Sequence, residues 1–111
     1  MIVKNKKMQK FVGTGVALVT PFDKSGKVDF DALERVIEHT IQGGVDYVVS
    51  LGTTGEAVTL TAQECRAIVD FTIKIVNDRL PIVLGMFGGN DTARIVERFK
   101  NFNFDYFYLV H

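Results

Sequence analysis

One pattern limits the fold of this chain more than any other: short apolar, β-branched runs start near residues 15, 47, 81 and 106, with amphipathic stretches between them. Gly15-Val16-Ala17-Leu18-Val19-Thr20, closed by Pro21, reads as a strand buried on both faces. Pro21 to Lys27 reads as a loop in which Asp23 and Gly26 supply turn chemistry. Asp29 then stands at an N-cap position, and Leu33, Val36, Ile37, Thr40 and Ile41 recur at helical spacing until Gly43-Gly44 ends the helix.

The phrase then repeats. Tyr47 to Leu51 is a second buried strand, and Gly52 to Leu60 is its outgoing loop. Thr61-Ala62-Gln63-Glu64 has the form of a capping box, which predicts a helix carrying Ile68, Val69, Thr72, Ile73 and Val76 and ending at Asn77-Asp78. Pro81 to Gly85 is a third strand, with proline tolerated at its first position. A glycine-rich loop over Phe87 to Asp91 leads into a helix from about Thr92, with Ile95, Val96 and Phe99 inward. Tyr106 to Val110 is a fourth strand, and Asp-Tyr precedes it as it precedes the second, at Asp46-Tyr47 and Asp105-Tyr106.

A βα unit every 25 to 35 residues calls for a parallel sheet covered by helices. A doubly wound open sheet is one solution, but Gly13-Thr14-Gly15-Val16-Ala17-Leu18 lacks the third glycine of a dinucleotide fingerprint and precedes a strand instead of following one. The other is the N-terminal half of a (β/α)8 TIM barrel, with about four parallel strands and three helices. A closed barrel typically needs ~250 residues, and this chain has 111.

Charge narrows the function classes. Residues 1–10 hold Lys4, Lys6, Lys7 and Lys10 and no acid, so the rest of the chain carries 9 basic against 13 acidic side chains. That body offers no electrostatic footprint for nucleic acid. Residues 1–10 are expected to be a flexible basic lead-in, without the apolar core of a signal peptide, and 11–111 an incomplete barrel domain. No stretch approaches the ~18 consecutive apolar residues of a membrane span. Cys65 is the only cysteine, which excludes an internal disulfide and a cysteine-based metal cluster and makes the cytoplasm the expected compartment.

In a parallel α/β fold functional groups lie at the carboxyl ends of strands, where loops begin at Thr20, Gly52 and Met86. Gly52-Thr53-Thr54-Gly55 offers two hydroxyls and several amides that glycines allow to turn toward a small anion, such as the carboxylate of a planar 2-oxo acid. Gly and Thr are equally the residues of any tight strand-to-helix loop. No Lys-Ser/Thr pair follows, so this is not a phosphate-binding P-loop. Thr20 and Pro21 read as strand-ending residues. Gly85 to Gly89 reads either as close backbone access for a ligand or as a plain turn. His39 and His111 have no visible catalytic partner, and Cys65, in the first turn of its helix, reads as an inert packing residue.

Taken together, Gly13-Thr14-Gly15-Val16-Ala17-Leu18-Val19-Thr20-Pro21-Phe22, Gly43-Gly44-Val45-Asp46, Gly52-Thr53-Thr54-Gly55-Glu56-Ala57 and Leu60-Thr61-Ala62-Gln63-Glu64 resemble, in order and spacing, the start of the dihydrodipicolinate synthase family. The resemblance runs from about Phe11 to the end of the chain and covers under half of such an enzyme. It implies a Schiff-base lyase that condenses pyruvate with aspartate semialdehyde on the pathway to lysine, without a cofactor. By the same resemblance Thr53 matches a hydroxyl that joins a proton relay with two tyrosines, Thr54 helps hold the carboxylate of pyruvate, and Gly52 and Gly55 belong to the substrate-binding loop. The related N-acetylneuraminate lyases usually carry Ser-Thr where this chain has Thr53-Thr54, which favours the synthase over another pyruvate-dependent aldolase of that type.

The resemblance also marks departures. Feedback-inhibited relatives often carry histidines or other polar groups where this chain has Ala62 and Cys65, so the resemblance leaves control by lysine open. The Pro-Tyr-Tyr segment and the Schiff-base lysine of the family lie beyond His111. Forming a Schiff base at neutral pH requires a desolvated or electrostatically perturbed amine. Lys24 and Lys27 fall in a polar loop, Lys74 and Lys100 on helices and the other four in the lead-in, so the chain alone is expected to be inactive. The competing expectation is a non-catalytic half-barrel: an unclosed sheet leaves backbone groups and apolar surface exposed, which favours a homo-oligomer.

Overall fold

The computed structural model describes residues 2–3, 11–85, 93, 97 and 107–109. In chain order the elements are β1 (Ile2–Val3), β2 (Gly15–Ala17), α1 (Phe30–Gln42), β3 (Tyr47–Ser50), α2 (Ala62–Val76), β4 (Ile82–Leu84) and β5 (Phe107–Leu109), with a 3-10 turn at Ala57–Thr59. Of the helix expected from about Thr92, only Ala93 and Glu97 are described, and both are helical. The inward role expected of Ile95, Val96 and Phe99 and the glycine-rich loop after Gly85 lie outside the described residues.

The sheet runs β1-β5-β4-β3-β2. β2, β3, β4 and β5 are parallel and sequential, with Val16 opposite Val48, Val48 opposite Ile82 and Ile82 opposite Phe107. From β2 to β5 each strand lies beside its predecessor, so the order does not reverse within the parallel run. A doubly wound sheet requires such a reversal at its binding crevice, and a barrel does not. β1 lies antiparallel on the far edge, Ile2 opposite Leu109 and Val3 opposite Tyr108. These are two of the residues expected to form the basic lead-in, and Lys4 to Lys10 lie outside the described residues.

The helices start and stop where the caps dictate. The Asp29 carboxylate accepts the Ala32 amide at 3.0 Å, satisfying one of the donors that a helix start leaves orphaned. Gly43 and Gly44 close α1, donating to the His39 and Ile41 carbonyls at 3.0 Å, and Gly44 takes the left-handed conformation with φ 82°. In α2 the capping box is complete: Glu64 donates its amide to Thr61 Oγ1 at 3.1 Å, and its Oε1 accepts the Thr61 amide at 2.9 Å. Asn77 and Asp78 end α2 in the left-handed region, with φ 48° and 61°.

Leu33 and Ile37 of α1 and Cys65, Ile68, Val69 and Val76 of α2 pack with Val48, Ile82 and Leu84 of the sheet into one core, which Leu18 and Leu51 extend. Side chains alternate across a strand, so Val48, Ile82 and Leu84 share the sheet face beneath the helices. Phe30 and Phe71 stack edge to face at 5.1 Å and join the start of α1 to α2. Two expectations are corrected. β2 is not buried on both faces: Val16, opposite Val48, and Leu18 point to the helix side, while Gly15 and Ala17, on the face away from the helices, are exposed and Val19 remains 48% accessible. Ile73, on the helical stripe expected for α2, is 39% accessible because it sits at the margin of that stripe, while Thr72 beside it is fully buried.

Candidate functional site

The carboxyl ends of β2, β3 and β4 bring Thr20, Gly52 and Gly85 to one end of the sheet. The chain leaves β3 through Leu51, which is buried with φ 57°, and reaches the 3-10 turn through Glu56, also at φ 57°. Left-handed non-glycine residues cost on the order of 1–3 kcal/mol each and persist only where their surroundings over-determine them. Between them Gly52 to Glu56 forms a compact double turn, in which Gly55 donates to the Gly52 carbonyl and Glu56 to the Thr53 carbonyl, both at 3.0 Å. Gly55 is buried, and a Cβ there would lie 3.1 Å from Leu51 Cα and 3.3 Å from the Leu18 carbonyl oxygen. The turn is therefore folded back onto its own start and onto the end of β2. Thr53 and Thr54, at its crest, are exposed.

Two neighbours touch this turn. Thr20 is buried, and its hydroxyl donates to the Gly55 carbonyl at 2.6 Å. On the other side, Gly85 donates its amide to the Ser50 carbonyl at 2.9 Å and lies against Gly52. Sequence reasoning assigned Thr20 only to the end of a strand. The available signal was a hydroxyl residue closing a run of otherwise apolar ones, and its partner 35 positions away could not be read from spacing.

The remaining polar groups serve the scaffold. The Asp23 carboxylate accepts the Ser25 hydroxyl at 2.7 Å, the Ser25 amide at 2.8 Å and the Lys27 amide at 3.0 Å. The Ser25 hydroxyl, followed by the Lys27 amide, holds its pKa below the usual carboxylate range. Lys24, Lys27 and Lys74 are exposed. His39 lies exposed in the last turn of α1, and Cys65 is buried in the core. His111 lies outside the described residues. Among the described residues no group of three or more His, Cys, Asp or Glu could hold a metal ion, and no helix is long and apolar enough to cross a membrane.

Sequential parallel strands, helices packed on one face and a glycine-threonine turn at the strands' carboxyl ends define this chain as part of a βα-barrel. The dihydrodipicolinate synthetase family model matches residues 10–103, and the chain belongs to that family. It is similar to the 4-hydroxy-tetrahydrodipicolinate synthase of Flavobacterium psychrophilum, at 48% identity over 93% of this chain and 35% of the relative. Among solved structures it is similar to a chloride-inhibited dihydrodipicolinate synthase from Acinetobacter baumannii complexed with pyruvate, with a TM-score of 0.75, 41% identity and coverage of 79% of this chain and 30% of the other. A dihydrodipicolinate synthase from Thermotoga maritima matches with a TM-score of 0.76 at 35% identity, over 80% of this chain and 30% of the other. The chain thus spans about a third of the length of these relatives. Its fold is the N-terminal part of a TIM barrel, as the strand order requires.

Proposed function

We propose that this chain supplies the carboxylate cradle and one relay hydroxyl of a Schiff-base lyase that condenses pyruvate with aspartate 4-semialdehyde. The observation that carries the reading is the turn at Gly52 to Gly55. It sits at the carboxyl end of a parallel strand, is folded tightly by its own hydrogen bonds, and leaves two threonines exposed at its crest. In this reading Thr54, with the amides of Gly52 to Thr54, holds the carboxylate of pyruvate, Gly55 closes the turn beneath them through its bond to the Gly52 carbonyl, and the Thr53 hydroxyl passes a proton to or from the reacting centre. The names of the relatives favour the synthase over an aldolase of the N-acetylneuraminate lyase type.

The nucleophilic lysine is not supplied by this chain in our reading, and the chain by itself is inactive. Lys24, Lys27 and Lys74 are exposed, outside the desolvated pocket that a Schiff-base amine requires. Cytoplasmic residence and assembly into a homo-oligomer belong to the same proposal. A titration of the chain with pyruvate, followed by amide chemical shifts, tests the cradle: shifts concentrated at Gly52 to Gly55 are expected. If those amides stay still at high millimolar pyruvate, the cradle is lost.

A second, non-catalytic reading is favoured by the outer edge of β2. No described strand pairs with that edge, and Val19 beside it is half exposed. An open edge next to apolar surface favours association with a second copy.

A further inference from the structure

The turn that carries Thr53 and Thr54 is gripped at both ends by residues from the two flanking strands. At its last position the buried Gly55 offers its carbonyl to the Thr20 hydroxyl, 2.6 Å away, at the end of β2. At its first position Gly52 is met by Gly85, at the end of β4. A Cβ on Gly85 would lie 2.8 Å from Gly52 Cα and 3.0 Å from both the Gly52 nitrogen and the Leu51 carbonyl oxygen. All three are backbone atoms, so no side-chain rotation relieves that approach. The two grips fall on either side of the exposed pair, and the turn they close is bounded by left-handed residues, Leu51 and Glu56. A backbone held in unfavourable conformations relaxes once its restraints are removed.

We infer that Thr20 and Gly85 are positioning residues, which fix the orientation of the Thr53-Thr54 crest from the neighbouring strands and so set the affinity of the turn for a small carboxylate. The last clause rests on the proposed function; the grip itself does not. Thr20 acts through the Gly55 carbonyl, and its removal leaves a buried acceptor unsatisfied. Gly85 acts by being small enough for two backbones to touch.

The test uses the full chain with three substitutions, Thr20→Val, Thr20→Ser and Gly85→Ala. Two readouts are taken: hydrogen exchange at the Gly55 and Glu56 amides, which donate across the turn, and pyruvate affinity from amide shifts. Thr20→Val should speed exchange at those two amides by about tenfold while the amides of α2 keep their wild-type rates, and should weaken pyruvate by a similar factor. Gly85→Ala should act in the same direction, and Thr20→Ser, which retains the hydroxyl, should stay near wild type. The inference is overturned if Thr20→Val exchanges like the parent, if Thr20→Ser behaves like Thr20→Val, or if exchange in α2 rises equally, since that marks a general loss of stability. If the parent shows no pyruvate response while Thr20→Val still loosens the turn, the carboxylate reading fails and the grip stands.

Discussion

Thr72 sits on the inner face of α2 with no accessible surface, and its hydroxyl meets no acceptor among the described residues. An unsatisfied buried hydroxyl carries a desolvation penalty that an apolar isostere avoids. Thr72→Val is therefore expected to raise stability by roughly 1 kcal/mol, measurable as a higher denaturation midpoint with an unchanged slope. Arg79 shows the opposite economy of polar groups. Its guanidinium donates to Glu38 Oε1 at 2.6 Å and Oε2 at 3.1 Å, while also reaching the Ile75 and Val76 carbonyls at the end of α2. The hydrogen bond from Arg79 lowers the Glu38 pKa, and the Arg79 pKa is raised in return. A carboxylate with a lowered folded-state pKa adds stability above its unfolded value, ~4.3 for glutamate, and that contribution is lost as pH falls through the lowered value. The stability gap between the parent and Glu38→Gln should thus narrow on acidification below about pH 4. A gap that is constant from neutral to acid pH would show that the pair does not titrate as described.

At the scale of elements, the caps and the helical stripes were legible in the sequence because each is a local arrangement. Asp29, the Thr61-Glu64 box and the Gly43-Gly44 stop all lie within four residues of what they cap. Thr61→Ala removes one half of the box and should cost about 1 kcal/mol, read by chemical denaturation. Ile37→Ala, in the fully buried stripe of α1, should cost about 2–5 kcal/mol. What could not be read was set by partners far along the chain. The exposure of β2 depends on what covers its face away from the helices, and the role of Thr20 depends on a carbonyl in another loop. The left-handed geometry of Leu51 and Glu56 carries no residue-type signal, since neither is a glycine or asparagine. The Gly52 to Gly55 turn was visible as a motif, yet its residue types alone allowed a plain connection as readily as an anion cradle.

For the molecule as a whole, strand order decides the architecture and open edges govern its behaviour. Sequential parallel pairing from β2 to β5 is the order of a barrel wall, and the family match agrees with it. On the proposed self-association, the β2 edge, which meets no described strand, pairs with a second copy, and size-exclusion chromatography is expected to show a species of at least twice the monomer mass. Elution as a compact monomer would contradict that expectation. The proposed function is a division of labour, in which this chain would hold the carboxylate cradle at Thr53 and Thr54 while the covalent chemistry would belong to a lysine outside it. The most direct measurement is to incubate the chain with pyruvate, reduce with borohydride and determine the intact mass. The account predicts an unmodified chain, and the addition of a reduced pyruvyl group to any of its lysines would contradict it.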